Sequence, residues 1–398
     1  MWFRVFLAGW SVAFLALFGW LATHRSPEPI ILGRYSSGYF ALLAGAAALA
    51  AVSLLAQRPF LYRRLHKARR EIVLTLSSIL FSLMAVEAAI RVLDPLGVSY
   101  FQETSRYHLD KLPDPVLVYK HAPGARTYQG VSVVINGLGL RDREPEKKLD
   151  GELRILLLGD SVTFGWGVPI EATFGRKLET ILGSKLGRPV RTVNTGVGSY
   201  NTVQEYAALR TYADVIEPDV VLLLYLNNDI ETNDPPFDPW SQVSIRGKSP
   251  RETVAILLGY SWLYRLGHFA SQLSRSNRPS RFDKNARGVT ESMDALAAIA
   301  TFCRERGIKF VTFFYPVRRI PRGGLSSAVF SEVQTVARNH GFAVVDVGPW
   351  WADVNIRSVT NSRIDPHPNE RGHEIIAKGM ADFLTAQGIV HTKMPAAR

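Results

Sequence analysis

The sequence predicts an α/β domain, a parallel sheet of about five strands between layers of helices, preceded by three transmembrane helices. Three observations predict it. After Gly151, short apolar runs of strand length alternate with helix-compatible segments, as a parallel sheet wound by crossover helices requires. Small and polar residues gather where those runs end. Before Asp94, three apolar stretches approach or reach the length that crosses a bilayer as a helix. No repeat of solenoid period occurs.

At 398 residues the chain can hold one good-sized core and an appended region. Its hydrophobic fraction of 47% is concentrated at the N-terminus. The formal net charge of +12 is placed largely in one loop between apolar stretches, with no nucleic-acid motif. This reads as membrane topology, and no nucleic-acid partner is expected. The single cysteine, Cys303, excludes an intrachain disulfide and a cysteine-based zinc cluster, and its apolar helical setting makes it a core residue. The histidines are scattered without ligand spacing, so no metal or cofactor is expected.

The apolar stretches run from Trp2 to Thr23, roughly Tyr39 to Ala56, and Ile72 to Leu93. A cleaved signal peptide competes for the first, but two further stretches follow it. Between the second and third, Arg58 to Arg70 carries six lysines and arginines, which the positive-inside rule places in the cytoplasm. The N-terminus is then cytoplasmic, and the chain after Asp94 lies outside the inner (cytoplasmic) membrane. Glu87 and Arg91 are four apart on one helical face, where mutual pairing or snorkelling satisfies them. Residues 1–93 form the anchor and 94–150 a juxtamembrane linker and hairpin. The strand alternation of Val131 to Ile135 marks the hairpin, and Arg141 follows on the side that could reach the site. Residues 151–390 form the α/β domain with an insertion at 231–288, and 391–398 a disordered tail.

In that domain the predicted strands are Ile155 to Leu158, Val190 to Asn194, Val220 to Tyr225, Lys309 to Tyr315 and Ala343 to Val347. Helices are expected near Phe174 to Leu186, Thr202 to Tyr212, Val289 to Arg306, Ser326 to His340 and Asn369 to Ala386. The result is a flavodoxin-like three-layer α/β/α sandwich. Gly159-Asp160-Ser161 ends the first strand at a strand-to-helix turn, which lifts a side chain out of the sheet's carboxyl edge. Asp160 or Ser161 serving only as a helix cap is the plainer reading of that stretch alone. The second strand ends in Asn194 to Thr202, the third in Leu226-Asn227-Asn228-Asp229. Asp365-Pro366-His367-Pro368-Asn369 leads into the last helix, with Asn369 as its cap.

These four stations in this order resemble the blocks of the SGNH, or GDSL-type, esterase and lipase superfamily. The resemblance covers roughly Arg154 to Gly388. It implies that Ser161 attacks an ester carbonyl, His367 serves as general base and then acid, and Asp365 orients the imidazole. It assigns the oxyanion hole to the Ser161 backbone N–H, a backbone N–H of Gly198 or Ser199, and the Asn228 side-chain amide. Three departures stand out. Ser199 occupies the place of the usual glycine donor, and Leu226 replaces a glycine in the third block. Asp365 and His367 are two apart instead of three. Residues two apart in an extended segment point the same way, and Asp365 precedes a proline. His373, a turn inside the last helix, is the rival base.

The insertion opens with Asn233 to Trp240. Its apolar middle, Val254 to Leu266, is expected to form a helix, either covering the site or resting on the membrane surface. The expected function is a membrane-anchored serine esterase acting on an acyl or acetyl ester of an envelope glycan, a lipid or a small molecule. The alternatives are an O-acetyltransferase modifying an extracytoplasmic polysaccharide, which would need an envelope-biosynthesis partner, and a non-catalytic glycan-binding or assembly protein.

Overall fold

The computed structural model describes residues 2–23, 31, 35, 37–232, 250–275, 286–315, 326–339, 342 and 344–391. Two compact units emerge: residues up to Pro95 together with the segment that ends at His268, and the rest of the chain from Leu96 onward.

The first unit begins with α1 (Trp2–Thr23), α2 (Ser37–Leu55), α3 (Pro59–Lys67) and α4 (Arg69–Leu93). Among the described residues, α1 and α4 are long and apolar enough to cross a membrane. The stretch Phe40–Leu55 counts as a third span only together with α3, against which it is bent by 86°. The bend has a local cause. Arg58 takes extended geometry (φ −59°, ψ 139°) before Pro59, as a residue preceding proline tends to. The expected basic loop is therefore largely helical.

The second unit opens with α5 (Ser99–Leu109) and two antiparallel hairpins, β1 (Lys111–Asp114) with β2 (Val118–His121), and β3 (Gly124–Tyr128) with β4 (Val131–Ile135). The second hairpin turns through Gln129 and Gly130 at φ 50° and 74°, the pair of positive φ angles of a tight two-residue hairpin loop. Residues read from sequence as a linker with one hairpin are thus a helix and two hairpins. Then follow β5 (Leu153–Leu158), α6 (Ser161–Phe164), α7 (Phe174–Leu186), β6 (Val190–Asn194), α8 (Thr202–Ile216) and β7 (Val220–Tyr225). The chain next supplies α9 (Pro250–Leu258) and the first half of α10 (Trp262–Arg275) to the first unit. It completes the second with α11 (Arg287–Glu305), β8 (Lys309–Phe314), α12 (Ser326–Asn339), β9 (Val344–Asp346) and α13 (Glu370–Ala386). Asn233 to Trp240, at the opening of the insertion, and residues 392–398 of the expected tail lie outside the described residues.

The five expected strands form one parallel sheet in the order β6-β5-β7-β8-β9. Every residue of β5 and β7 is buried, because helices cover both faces of the sheet. Alternation along β5 divides the core in two. Leu156 and Leu158 join Leu209 of α8 and Ile299 and Cys303 of α11 in one apolar layer. Leu153, Ile155 and Leu157 join Leu178 of α7 and Ile376 of α13 in the other. The first strand in sequence, β5, lies between the second and the third. Chain direction across the sheet reverses there, and such a switch point opens a crevice at the strands' carboxyl ends.

Candidate active site

Ser161 stands in that crevice because of what precedes it. Gly159 has φ 151°, and a Cβ there would come within 2.8 Å of Thr163 Cβ and 3.4 Å of the Leu224 carbonyl oxygen, so only glycine lets β5 end this close to β7. Asp160 then caps α6, its Oδ1 accepting the Val162 N–H at 2.9 Å. The cap reading of Asp160 and the exposed-serine reading of Ser161 describe the same turn. At the other end of α6, Arg141 is buried and donates to the carbonyls of Phe164, Gly165 and Val168 at 3.0, 2.6 and 2.8 Å. It serves those carbonyls and makes no hydrogen bond to Ser161 among the described residues.

The last station folds back onto Ser161. The segment before α13 is closed by the Asn361 N–H on the His367 carbonyl at 2.9 Å and the Ser362 N–H on the Asp365 carbonyl at 3.1 Å. His367 Nε2 lies 2.8 Å from Ser161 Oγ, and Nδ1 lies 2.5 Å from Asp365 Oδ1. The carboxylate can only accept, so Nδ1 carries the proton and Nε2 is the acceptor facing Ser161. Asp365 also accepts the His367 N–H at 3.0 Å, and on Oδ2 the amides of Gln129 (3.2 Å) and Asn361 (3.1 Å). Burial works against its charge, yet His367 and these donors hold its carboxyl below the usual range. Burial likewise opposes a charged His367, but the charge and hydrogen bond of Asp365, with the charge of Asp160, raise its pKa above the ordinary value. The rings of Tyr100 and Trp166 flank the imidazole, at 5.9 and 6.3 Å between centroids.

His373 is placed elsewhere. It is buried in α13, stacked on Phe174, with Nδ1 accepting the Phe174 N–H at 3.1 Å. Burial pushes its pKa down to about 3, and it makes no hydrogen bond to Ser161 among the described residues.

The second station is gripped from the segment before the sheet. The Gly198 N–H donates to Tyr107 Oη at 2.7 Å. The Tyr107 hydroxyl meets His121 Nε2 at 2.6 Å, and His121 Nδ1 faces the Gly139 carbonyl oxygen at 3.3 Å. A carbonyl only accepts, so His121 is protonated on Nδ1 and accepts the hydrogen bond of the Tyr107 hydroxyl on Nε2; burial holds it neutral, with a pKa of about 3. Lys111 Nζ donates to the Gly198 carbonyl at 2.5 Å, and Tyr119 Oη to the Ser199 carbonyl at 2.6 Å. A Cβ on Gly198 would come within 2.7 Å of the Tyr107 ring. Of the two candidate donors, Gly198 has its N–H committed inside the fold. The exposed Ser199, at φ 68°, has an N–H without a protein acceptor among the described residues. That positive φ is the physical reason a glycine suits the position.

Asn228 lies in a short turn after β7, and its Nδ2 donates to Asp160 Oδ2 at 2.8 Å. Ser161 Oγ stands 3.3 Å from the same Asp160 oxygen, farther than from His367. Leu226, which stands where the resembled family usually has a glycine, is buried in the apolar layer that holds Val162. Behind Asn228 lie two buried carboxyls, Glu205 and Asp229. Burial, with the charge of Asp160, raises Asp229 to about 8 despite the Leu226 N–H, and Glu205 is raised as well. Tyr107, Lys111, Gln129 and Glu205 were not singled out from sequence, and Asp160 was read there only as a helix cap. Asp160 alone had a local signal, its place beside Ser161. Among the described residues no three His, Cys, Asp or Glu side chains converge as a metal set.

No protein of curated function matches the sequence significantly. Solved structures similar to it include an acetyl xylan esterase (14% identity over 58% of this chain and 100% of that one, TM-score 0.37). Another is a psychrotrophic esterase from Pseudoalteromonas sp. (14%, 60% and 99%, 0.36). A third is a lipase/acylhydrolase from Enterococcus faecalis (14%, 61% and 100%, 0.38). Residues 157–375, more than half of the chain, match the GDSL-like Lipase/Acylhydrolase family, and the chain belongs to it.

Proposed function

We propose that the chain is a membrane-anchored serine esterase that cleaves an acyl or acetyl ester outside the cytoplasmic membrane. The observation that carries this reading is the unbroken chain from Ser161 Oγ through His367 to Asp365. Ser161 Oγ attacks the ester carbonyl as its proton passes to His367 Nε2. His367 returns that proton to the leaving alcohol, and the acyl group stays on Ser161. Water then repeats the sequence, regenerating the serine and releasing the acid. The oxyanion is met by the N–H groups of Ser161 and Ser199 and by the Asn228 amide. Tyr100, half-buried beside the base with Trp166 buried behind the site, offers an apolar face on which a sugar ring or an acyl group of an envelope glycan or lipid can lie. The six cations of Arg58 to Arg70 support a cytoplasmic position for that stretch and an extracytoplasmic catalytic domain.

The test is p-nitrophenyl acetate hydrolysis by the full-length protein in detergent, beside Ser161→Ala, with and without an oligosaccharide acceptor. Ser161-dependent release into water is expected. Release only with acceptor, with acetyl found on the sugar, would make the protein a transferase. No Ser161-dependent release from the folded protein would remove both readings.

Ser199→Gly separates the donor from the side chain that carries it. It keeps the N–H and removes the left-handed penalty, so kcat is expected to hold while denaturant unfolding shows a gain of up to about 1 kcal/mol. Ser199→Val should destabilise by about 1 kcal/mol or more. A large fall in kcat for Ser199→Gly would assign the role to the hydroxyl instead.

A further inference from the structure

The first unit holds a polar contact that anchoring alone does not require. Glu87 of α4 accepts four hydrogen bonds, one from Arg91 Nε at 2.8 Å and three from the start of α10. Those three are the Ser261 hydroxyl and the Trp262 and Leu263 N–H groups, each at 2.9 Å. The remaining link is through Arg91 itself, whose Nη2 donates to the Tyr260 carbonyl at 2.5 Å. The Glu87 carboxylate therefore caps α10 from another helix, against the positive end of its dipole. The Arg91 guanidinium also lies 5.5 Å from the centre of the buried Trp262 ring.

Depth follows from this contact if α4 crosses the bilayer, as the proposed anchor requires. Glu87 precedes the end of α4 at Leu93 by six residues, about 9 Å of helix rise. A carboxylate that far inside an apolar span is costly unless it is paired and hydrogen-bonded. The start of α10 meets that need, and it must lie at the same depth to do so. The surface around the contact suits lipid. Leu257, Leu258 and Tyr260 are 55%, 44% and 66% exposed where α9 ends and the turn to α10 begins, and tyrosine favours the boundary between headgroups and acyl chains. With 9 and 14 residues, neither α9 nor α10 can cross.

We propose that α9 and the first half of α10, joined by the turn at Gly259 to Ser261, form a re-entrant helical hairpin seated in the outer interfacial layer of the bilayer, pinned to α4 by Glu87. The apolar middle of the insertion is then a lipid-seated element, held in the bilayer that anchors the chain. The inference rests on α4 being a span, and the experiment separates the two.

In full-length protein reconstituted in phosphatidylcholine nanodiscs, an environment-sensitive fluorophore is placed on single cysteines at Leu257, at the exposed Leu80 of α4, and at the exposed Val215 of α8. Cys303 stays in place, since it is buried with its thiol pushed up to about 12. Nitroxides are carried on the lipid chains near the headgroup or deep in the acyl region. The expected result is quenching at Leu80 and Leu257 but not at Val215, with Leu257 answering more to the shallow nitroxide. Glu87→Ala should abolish quenching at Leu257 and leave Leu80 unchanged. A Leu257 probe that behaves like Val215 while Leu80 is quenched overturns the hairpin alone. An unquenched Leu80 overturns the span, and the hairpin with it.

Discussion

His367→Ala and Ser161→Ala should each lower turnover of an ester substrate by about 10⁴-fold or more, with the thermal unfolding transition retained. The size follows from the two acting as one unit, since a serine hydroxyl without a base in contact is barely nucleophilic. The sharper test is the pH profile. His367 works as a base only when neutral, so kcat/KM must fall as pH drops through its pKa. Burial alone would move that pKa down, but the charge and hydrogen bond of Asp365 and the charge of Asp160 move it above the ordinary 6.5. The acid limb should therefore lie above pH 6.5. Asp365 is itself held low and stays ionised across that limb. Asp365→Asn removes the charge that raises His367, so the limb should shift to lower pH while the rate falls by about 10⁴-fold. An unshifted limb in that variant would assign the titration to another group.

Much of this arrangement was legible because its signals are local. The strands of a parallel sheet are buried on both faces and read as continuous apolar runs, as Ile155 to Leu158 and Val220 to Tyr225 do. Ser161, Asn228 and His367 stand where such runs or helices begin and end, which places them at one sheet edge without further information. The two-residue spacing of Asp365 and His367 was readable from extended geometry, and their side chains meet at 2.5 Å.

What escaped the sequence is long-range. Tyr107 meets Gly198 across 91 positions, Gln129 meets Asp365 across 236, and Glu87 meets Ser261 across 174. No periodicity or spacing encodes such pairs. The choice between Gly198 and Ser199 depended on one of them, because any non-proline residue carries an N–H and only the Tyr107 contact shows which is already taken. Of the strands before the main sheet, Val131 to Ile135 was read from its alternation, and the other three were faint for another reason. Each is four or five residues long, and β1 contains Pro113, which weakens a strand signal.

Asn228→Ala should reduce kcat by about 10²–10³-fold, or 2.7–4 kcal/mol of barrier, with KM little changed. The amide's orientation is set by its neighbour. Asp160 Oδ2 accepts from Nδ2 at 2.8 Å, and Oδ1 is taken by the Val162 N–H, so the NH₂ group is turned toward the carboxylate and keeps a second hydrogen. That hydrogen is the donor proposed for the oxyanion, and it gains strength only as charge develops on the carbonyl oxygen, which is why the loss should appear in kcat. Removing the amide also strips Asp160, a buried carboxyl already raised by burial, of one partner. Some stability, about 1–3 kcal/mol, should be lost with it, so kinetics belong well below the variant's transition temperature. Asn228→Asp preserves shape but sets a second carboxylate against Asp160 and against the developing oxyanion. It should be slower than Asn228→Ala, whereas a role in ground-state binding would raise KM in both variants and leave kcat nearly intact.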